Sequence, residues 1–174
     1  APDEAVVTTD HCRFTVLTSR LVRLEYDPEG AFEDRPSQTV WYRNHSVPDF
    51  SIWRTDGRLE IDTDHLHLRY DIGEGFTGDS LAITLTGFDE TWHYGDDGAN
   101  LDGTTRTLDG VDGQTDLTEG LLSRTGWSVL EDTGSLVFDD DGWVRSREAA
   151  DDYEDLYFFG YGHDYLDCLD RKSV

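Results

Sequence analysis

The dominant pattern along this chain is alternation of apolar and polar residues with a period of two. Cys12, Phe14 and Val16 alternate with Arg13 and Thr15, and Val22, Leu24 and Tyr26 alternate with Arg23 and Glu25. Leu59 and Ile61 alternate with Arg58, Glu60 and Asp62, and Leu66, Leu68 and Tyr70 with His67 and Arg69. Leu81, Ile83 and Leu85 alternate with Ala82, Thr84 and Thr86. Successive side chains of an extended backbone point to opposite faces, so each run predicts a strand with one face on a core. Between Trp53 and Leu59 lies Thr55-Asp56-Gly57-Arg58. Asp-Gly tolerates the positive φ of a tight turn and predicts a hairpin there. Strands near 50–55, 58–63, 66–71 and 81–86 then form a meander.

The second half alternates less regularly. The pattern predicts short strands over 91–94, 126–131, 135–138 and 143–146, and one over 104–108 inside the Gly- and Asp-rich stretch 95–113. An acidic connector follows over 147–155, then a last strand over 157–161 and a short helix over 163–171. Many short strands, frequent turn residues and almost no helix define an all-β fold, an antiparallel β-sandwich closed by a short C-terminal helix. The length suits one domain over 1–174. No strand alternates with a long helix, which excludes a dinucleotide-binding fold and a complete (β/α)8 barrel.

Charge changes the picture. Lys plus Arg is 14 against 38 Asp plus Glu, a formal net charge of −24, and Lys172 is the single lysine. Such a surface repels nucleic acid and anionic lipid, so neither is an expected partner. The acids are spread throughout rather than gathered in a tail. A calcium-binding surface is one reading. Adaptation to molar salt, where screening is short-ranged, fits better. No window approaches the roughly 18 apolar residues of a membrane span. No charged-then-apolar signal peptide opens the chain, and a cytoplasmic location is the expectation over secretion. Cys12 and Cys168 lie near opposite ends without metal or redox spacing. Cys12 falls on the apolar face of a strand, as a buried thiol, and a disulfide joining the ends is the alternative.

Candidate chemistry is sparse. His65 and His67 share a strand face, but no third metal ligand is evident, and a solvated face is the simpler reading. In the loop 95–103, aligning Asp102-Gly103 to the fifth and sixth positions of an EF-hand puts Asn100 third and Gly98 first, so the first calcium ligand is missing. No resident metal or cofactor is expected. Carboxylates are too abundant for an acid–base pair to stand out. No nucleophile elbow, P-loop or Cys/His nucleophile arrangement is present. Trp41, Tyr42, Trp53, Trp92 and Tyr94 are candidates to stack on sugar rings, against the commoner fate of filling a β core.

Two segments together carry a resemblance. One is Asn100-Leu101-Asp102-Gly103-Thr104-Thr105-Arg106-Thr107-Leu108-Asp109-Gly110-Val111-Asp112-Gly113, with Glu119-Gly120-Leu121-Leu122-Ser123-Arg124-Thr125-Gly126-Trp127 after it. The other is Asp155-Leu156-Tyr157-Phe158-Phe159-Gly160-Tyr161-Gly162-His163-Asp164-Tyr165. In this order they resemble the N-terminal region of glycoside hydrolase family 31 enzymes, the α-glucosidase and α-xylosidase group. Arg20 to Tyr26 and Phe32-Glu33-Asp34-Arg35-Pro36 fit the opening of that region, so the resemblance covers essentially the whole chain. The chain departs from the pattern at Asp102, where a small residue such as Gly is expected.

The resemblance implies a galactose mutarotase-like β-sandwich packed beside a catalytic (β/α)8 barrel of the same polypeptide. That barrel supplies both aspartates of a retaining mechanism, which needs two carboxyls about 5–5.5 Å apart. This chain would then hold no catalytic residue. Its loop over 98–106 would lean over the mouth of the active site, with Asn100, Asp102, Thr104 and Arg106 as candidate contacts to an α-linked oligosaccharide or glycoside. The aromatic strand, Gly-rich turn and short helix at the end would hand the chain over to the barrel. A stand-alone carbohydrate-binding sandwich with Trp41, Trp53 or Trp92 as platform is the alternative reading. A mutarotase using His93 or His163 is a third, lacking an assignable carboxylate partner.

Overall fold

The computed structural model describes residues 1–73, 75–105 and 107–172. After one turn of 3-10 helix (Asp3–Ala5) come β1 (Val6–Thr8), β2 (Cys12–Thr18) and β3 (Leu21–Tyr26). Then follow β4 (Phe50–Arg54), β5 (Arg58–Thr63), β6 (Leu66–Asp71), β7 (Leu81–Leu85) and β8 (Thr91–His93). The second half adds β9 (Asn100–Asp102), β10 (Glu119–Ser123), β11 (Ser128–Glu131), β12 (Val137–Phe138), β13 (Val144–Arg145), β14 (Glu154–Phe159) and α1 (Tyr165–Lys172). The fold is all-β, an antiparallel sandwich with one short helix, as the alternation predicts.

One sheet runs β1-β2-β3-β14-β11 and the other β4-β5-β6-β7-β8, every pairing antiparallel. The second is the expected meander. Its first hairpin closes through Thr55 N–H to the Arg58 carbonyl at 2.8 Å. Gly57 is not among the glycines with positive φ, so this four-residue loop turns without the left-handed conformation that Asp-Gly permits.

The core lies between the sheets. Cys12, Phe14, Val16, Val22, Leu24 and Phe158 face Leu59, Ile61, Leu66, Leu68, Tyr70, Leu81, Ile83 and Trp92. Phe14 meets Tyr70 and Phe158 meets Trp92, both with ring centroids 5.3 Å apart. Burying each such side chain contributes roughly 1.5–3 kcal/mol. Thr63 Oγ1 donates to the Ser19 carbonyl at 2.7 Å and Arg54 Nη1 to the Thr8 carbonyl at 3.0 Å, tying the sheets at their rims. Gly160 has no room for a side chain, since a Cβ there would sit 2.5 Å from Leu66 Cδ2.

Several expectations are corrected. Of the strand expected over 104–108, the described residues Thr104, Thr105, Thr107 and Leu108 are not in a strand; the extended residues are Asn100–Asp102, and their partner Glu119–Ser123 is not among the expected strands. The last strand starts at Glu154, inside the expected acidic connector, because Asp155 is drawn into it by buried arginines. The polar positions of β2 and β3 do not face water: Arg13, Thr15, Arg23 and Glu25 are all buried. The segment 32–43, residues 147–153 and α1 cover that outer face. There a second apolar cluster joins Leu17, Leu21, Tyr157, Phe159 and Tyr161 to Cys168 of α1. Cys12 and Cys168 are buried in different clusters and are not joined in a disulfide, and Cys12 Sγ lies 3.1 Å from the Tyr70 hydroxyl.

Candidate functional site

β9 and β10 form a two-stranded ribbon separate from both sheets, pairing Asn100 with Ser123 and Asp102 with Glu119 across a β-bulge. The ribbon holds together by close backbone approach. A Cβ on Gly103 would lie 2.9 Å from the Thr118 carbonyl oxygen and 3.0 Å from Gly120 Cα, and one on Gly120 would lie 2.8 Å from the Leu101 carbonyl oxygen. Both positions therefore require glycine. Gly103 N–H donates to the Thr118 carbonyl at 2.7 Å, and the Thr118 hydroxyl donates to the Thr104 carbonyl at 2.6 Å.

The four candidate contacts take different positions. Asn100 and Asp102 lie on one face of β9. Asn100 is half-buried with its Oδ1 unpartnered among the described residues, while Asp102 is exposed. Asp102 is accommodated without a left-handed backbone, as no non-glycine residue among those described has positive φ. Thr104 contributes its carbonyl to the ribbon. Arg106 lies outside the described residues.

The base of the ribbon meets the other resembling segment. Gly162 N–H donates to the Gly126 carbonyl at 2.8 Å, and His163 Nε2 sits 3.1 Å from the Arg124 carbonyl. A Cβ on Gly126 would fall 3.0 Å from Gly162 Cα, and φ is positive at both glycines. His163 stands edge-on to Phe88, with centroids 5.0 Å apart. Beside this junction Arg20, His65, Phe88, Tyr161, His163 and Asp164 line an open pocket of about 510 Å³. His93 is not among its lining residues; it pairs with Asp96 at 3.4 Å.

The other sequence candidates have local partners. His65 Nδ1 lies 3.0 Å from Ser19 Oγ and His67 Nδ1 lies 2.6 Å from Asp62 Oδ1. Asp139 Oδ1 accepts the backbone N–H of Asp141 and Trp143, closing a turn. Among the described residues no three His, Cys, Asp or Glu side chains gather to hold a metal, and no helix is long and apolar enough to cross a membrane. Trp92 is core, at 2% exposed, whereas Trp41 and Trp53 are 61% and 63% exposed. Trp53 stands on the outer face of β4 opposite Glu60, and Trp41 rests edge-on against Phe138 at 4.4 Å.

Sequence reasoning missed the charged layer on the outer face of the first sheet. Arg13 forks onto Glu25 at 2.6 and 2.8 Å, and Arg23 onto Asp155 at 2.7 Å through both Nε and Nη2. Arg147 bridges Asp155 at 2.6 Å and Asp132 at 2.7 Å. Burial pushes the Asp155 carboxyl up, but Arg23 and Arg147 more than offset it and hold it below its ordinary value. For Glu25, burial outweighs the pull of Arg23 and Arg13, and its pKa is raised. The signal was present as charged residues at strand positions, but their partners lie up to 132 residues away.

The chain matches no protein-family model and no curated protein sequence. It is similar to two structures of the GH31 dextranase of Flavobacterium johnsoniae. One is a mutant complexed with isomaltotriose, at 14% identity and a TM-score of 0.49; the other is complexed with glucose, at 12% identity and a TM-score of 0.46. Each alignment covers 96% of this chain and 26% of the other, so this chain spans about a quarter of their length.

Proposed function

We propose that the chain is the non-catalytic N-terminal domain of a retaining α-glycosidase, an α-glucosidase or α-xylosidase, with a galactose mutarotase-like sandwich. It packs on a catalytic (β/α)8 barrel of the same polypeptide and shapes access for an α-linked oligosaccharide. One observation carries this reading. The two segments that resemble family 31 enzymes converge at one end of the sandwich through Gly126 with Gly162 and Arg124 with His163, the latter pair 39 positions apart along the chain. That convergence sets the ribbon, with Asn100 and Asp102, beside the segment leading into α1. Of the buried carboxylates among the described residues, Glu25, Asp155 and Asp132 are engaged by arginines and Asp27 Oδ1 accepts the backbone N–H of Glu29 and Ala31, which suits a scaffold rather than an acid–base pair.

The test is hydrolysis of an aryl α-glucoside by the purified chain and by the full polypeptide its source genome encodes around it. The expected result is no turnover by the chain alone and turnover by the longer polypeptide, with KM raised when the ribbon is shortened. Turnover by the chain alone overturns the reading. A stand-alone carbohydrate-binding role is favoured by the exposure of Trp41 and Trp53; its mark is saturable oligosaccharide binding that Trp53→Ala or Trp41→Ala abolishes.

A further inference from the structure

β2 and β3 present Arg13, Thr15 and Arg23 on the outer face of their sheet, and the segment 32–43 passes over them carrying Asp34 and Arg43. Between sheet and segment lies a pocket of about 370 Å³ lined by Arg13, Thr15, Arg23, Asp34 and Arg43, together with Ala1, Asp3 and Val6. Its hydrogen-bond donors are not all used. Arg13 and Arg23 are answered by Glu25 and Asp155, but Arg43, only 9% exposed, has no carboxylate within ion-pair distance among the described residues. Its Nη2 donates to the carbonyl oxygens of Asp34 at 2.7 Å and Arg35 at 2.5 Å, leaving Nε and Nη1 without a protein acceptor.

Arg23, 3% exposed, commits Nε and Nη2 to Asp155, Glu25 and the Glu33 carbonyl, and its Nη1 has no acceptor. The Thr15 side chain, also 3% exposed, makes no hydrogen bond within the described residues. Neither Asp3 nor Asp34, the two carboxylates of the lining, forms an ion pair with Arg43, and Asp34 is already engaged. Its carboxylate is held by Arg13 Nη1 at 2.6 Å and its side chain stays exposed at the rim. None of these unused donors is sealed from solvent, so each is open to a ligand that enters the pocket.

We infer that this pocket binds a small oxyanion, a carboxylate or phosphate group, between the guanidinium of Arg43 and the free Nη1 of Arg23, with the Thr15 hydroxyl as a neutral donor. The planar fork of Arg matches two oxygens of such a group, and the volume leaves space for a small organic stem. The inference does not depend on the glycosidase reading.

The experiment is isothermal titration of the purified chain with sodium phosphate and, separately, sodium acetate, in a chloride background of matched ionic strength. Saturable one-to-one binding of at least one is expected. Phosphate alone assigns a phosphoryl ligand and acetate alone a carboxylate. Arg43→Gln should weaken binding about tenfold or more and Thr15→Val about 3–10-fold, the effects of losing a charged and a neutral donor. No binding of either anion, or an Arg43→Gln protein that binds as the parent does, overturns the assignment. Should Arg43→Gln fail to fold by circular dichroism, Thr15→Val decides, and unchanged affinity there overturns it.

Discussion

Glu154 and Asp155 are neighbours on β14 whose side chains point to opposite faces of the sheet, and their titrations move in opposite directions. Asp155 lies on the outer face among Arg23 and Arg147, and its pKa is lowered. Glu154 lies on the inner side, where Tyr94 donates a 2.5 Å hydrogen bond to Oε1 and Oε2 is buried without a partner. Burial raises its pKa against the pull of Tyr94, with Glu131 and Asp152 adding to the rise. The folded Glu154 carboxyl binds its proton more tightly than the unfolded one, whose value is near 4.5. It therefore costs stability above its folded pKa and returns it as pH falls through that value towards 4.5. Glu154→Gln should raise stability at pH 7–8 by about 1 kcal/mol, and the gap to the parent should close on acidification. Melting both proteins across pH 4–8 checks this, and a gap that stays constant contradicts it. Asp155 behaves oppositely: its contribution is present above pH 3.8 and is lost only as pH falls through its lowered pKa. Which face each residue takes was legible from the period of two in β2 and β3, but not at Glu154 and Asp155, which fall in the expected acidic connector. That the outer face is dry was not, because the segments covering it have no periodicity of their own.

At the scale of elements, the strands with five or six alternating residues were readable and the ribbon was not. β9 has three residues and β10 carries a bulge, so neither shows a period. What specifies them is contact between Gly103 and Gly120, seventeen positions apart, and glycines in a Gly- and Asp-rich stretch read first as turns. Gly120→Ala should push the two backbones apart at a cost of roughly 1–3 kcal/mol. The damage should be local. Amide exchange at Gly103, Thr118 and Arg124 should quicken, while the melting midpoint, set by the sandwich core, moves little. Loss of the whole fold on this substitution would show the ribbon to be integral to the sandwich. The ribbon also sets Asp102 directly opposite Glu119, a like-charge pair that weakens its pairing in dilute salt.

At the scale of the molecule, that repulsion repeats over a surface with a net charge of −24. The Debye length falls from about 10 Å at 0.1 M to about 3 Å at 1 M salt, so self-repulsion fades over this range. The melting midpoint should rise by several degrees from dilute buffer to molar KCl, as expected when a domain of this size gains a few kcal/mol. A midpoint indifferent to KCl would argue against salt adaptation. The net charge was legible from composition alone, whereas the pocket, built from Arg13 and Arg23 on neighbouring strands and a crossing segment, was not. The order of strands has a consequence in time. The meander over 50–93 pairs only neighbours and can form while later residues are still being synthesised. The first sheet cannot, because β14 inserts between β3 and β11 and pairs Phe158 with Val22. Until residue 159 is free of the ribosome, β3 keeps an open hydrogen-bonding edge and half the core has no lid. Closing so long a loop is slow, and an unpaired edge invites aggregation. The acidic surface that repels other chains therefore protects the nascent protein during the interval before its last strand arrives.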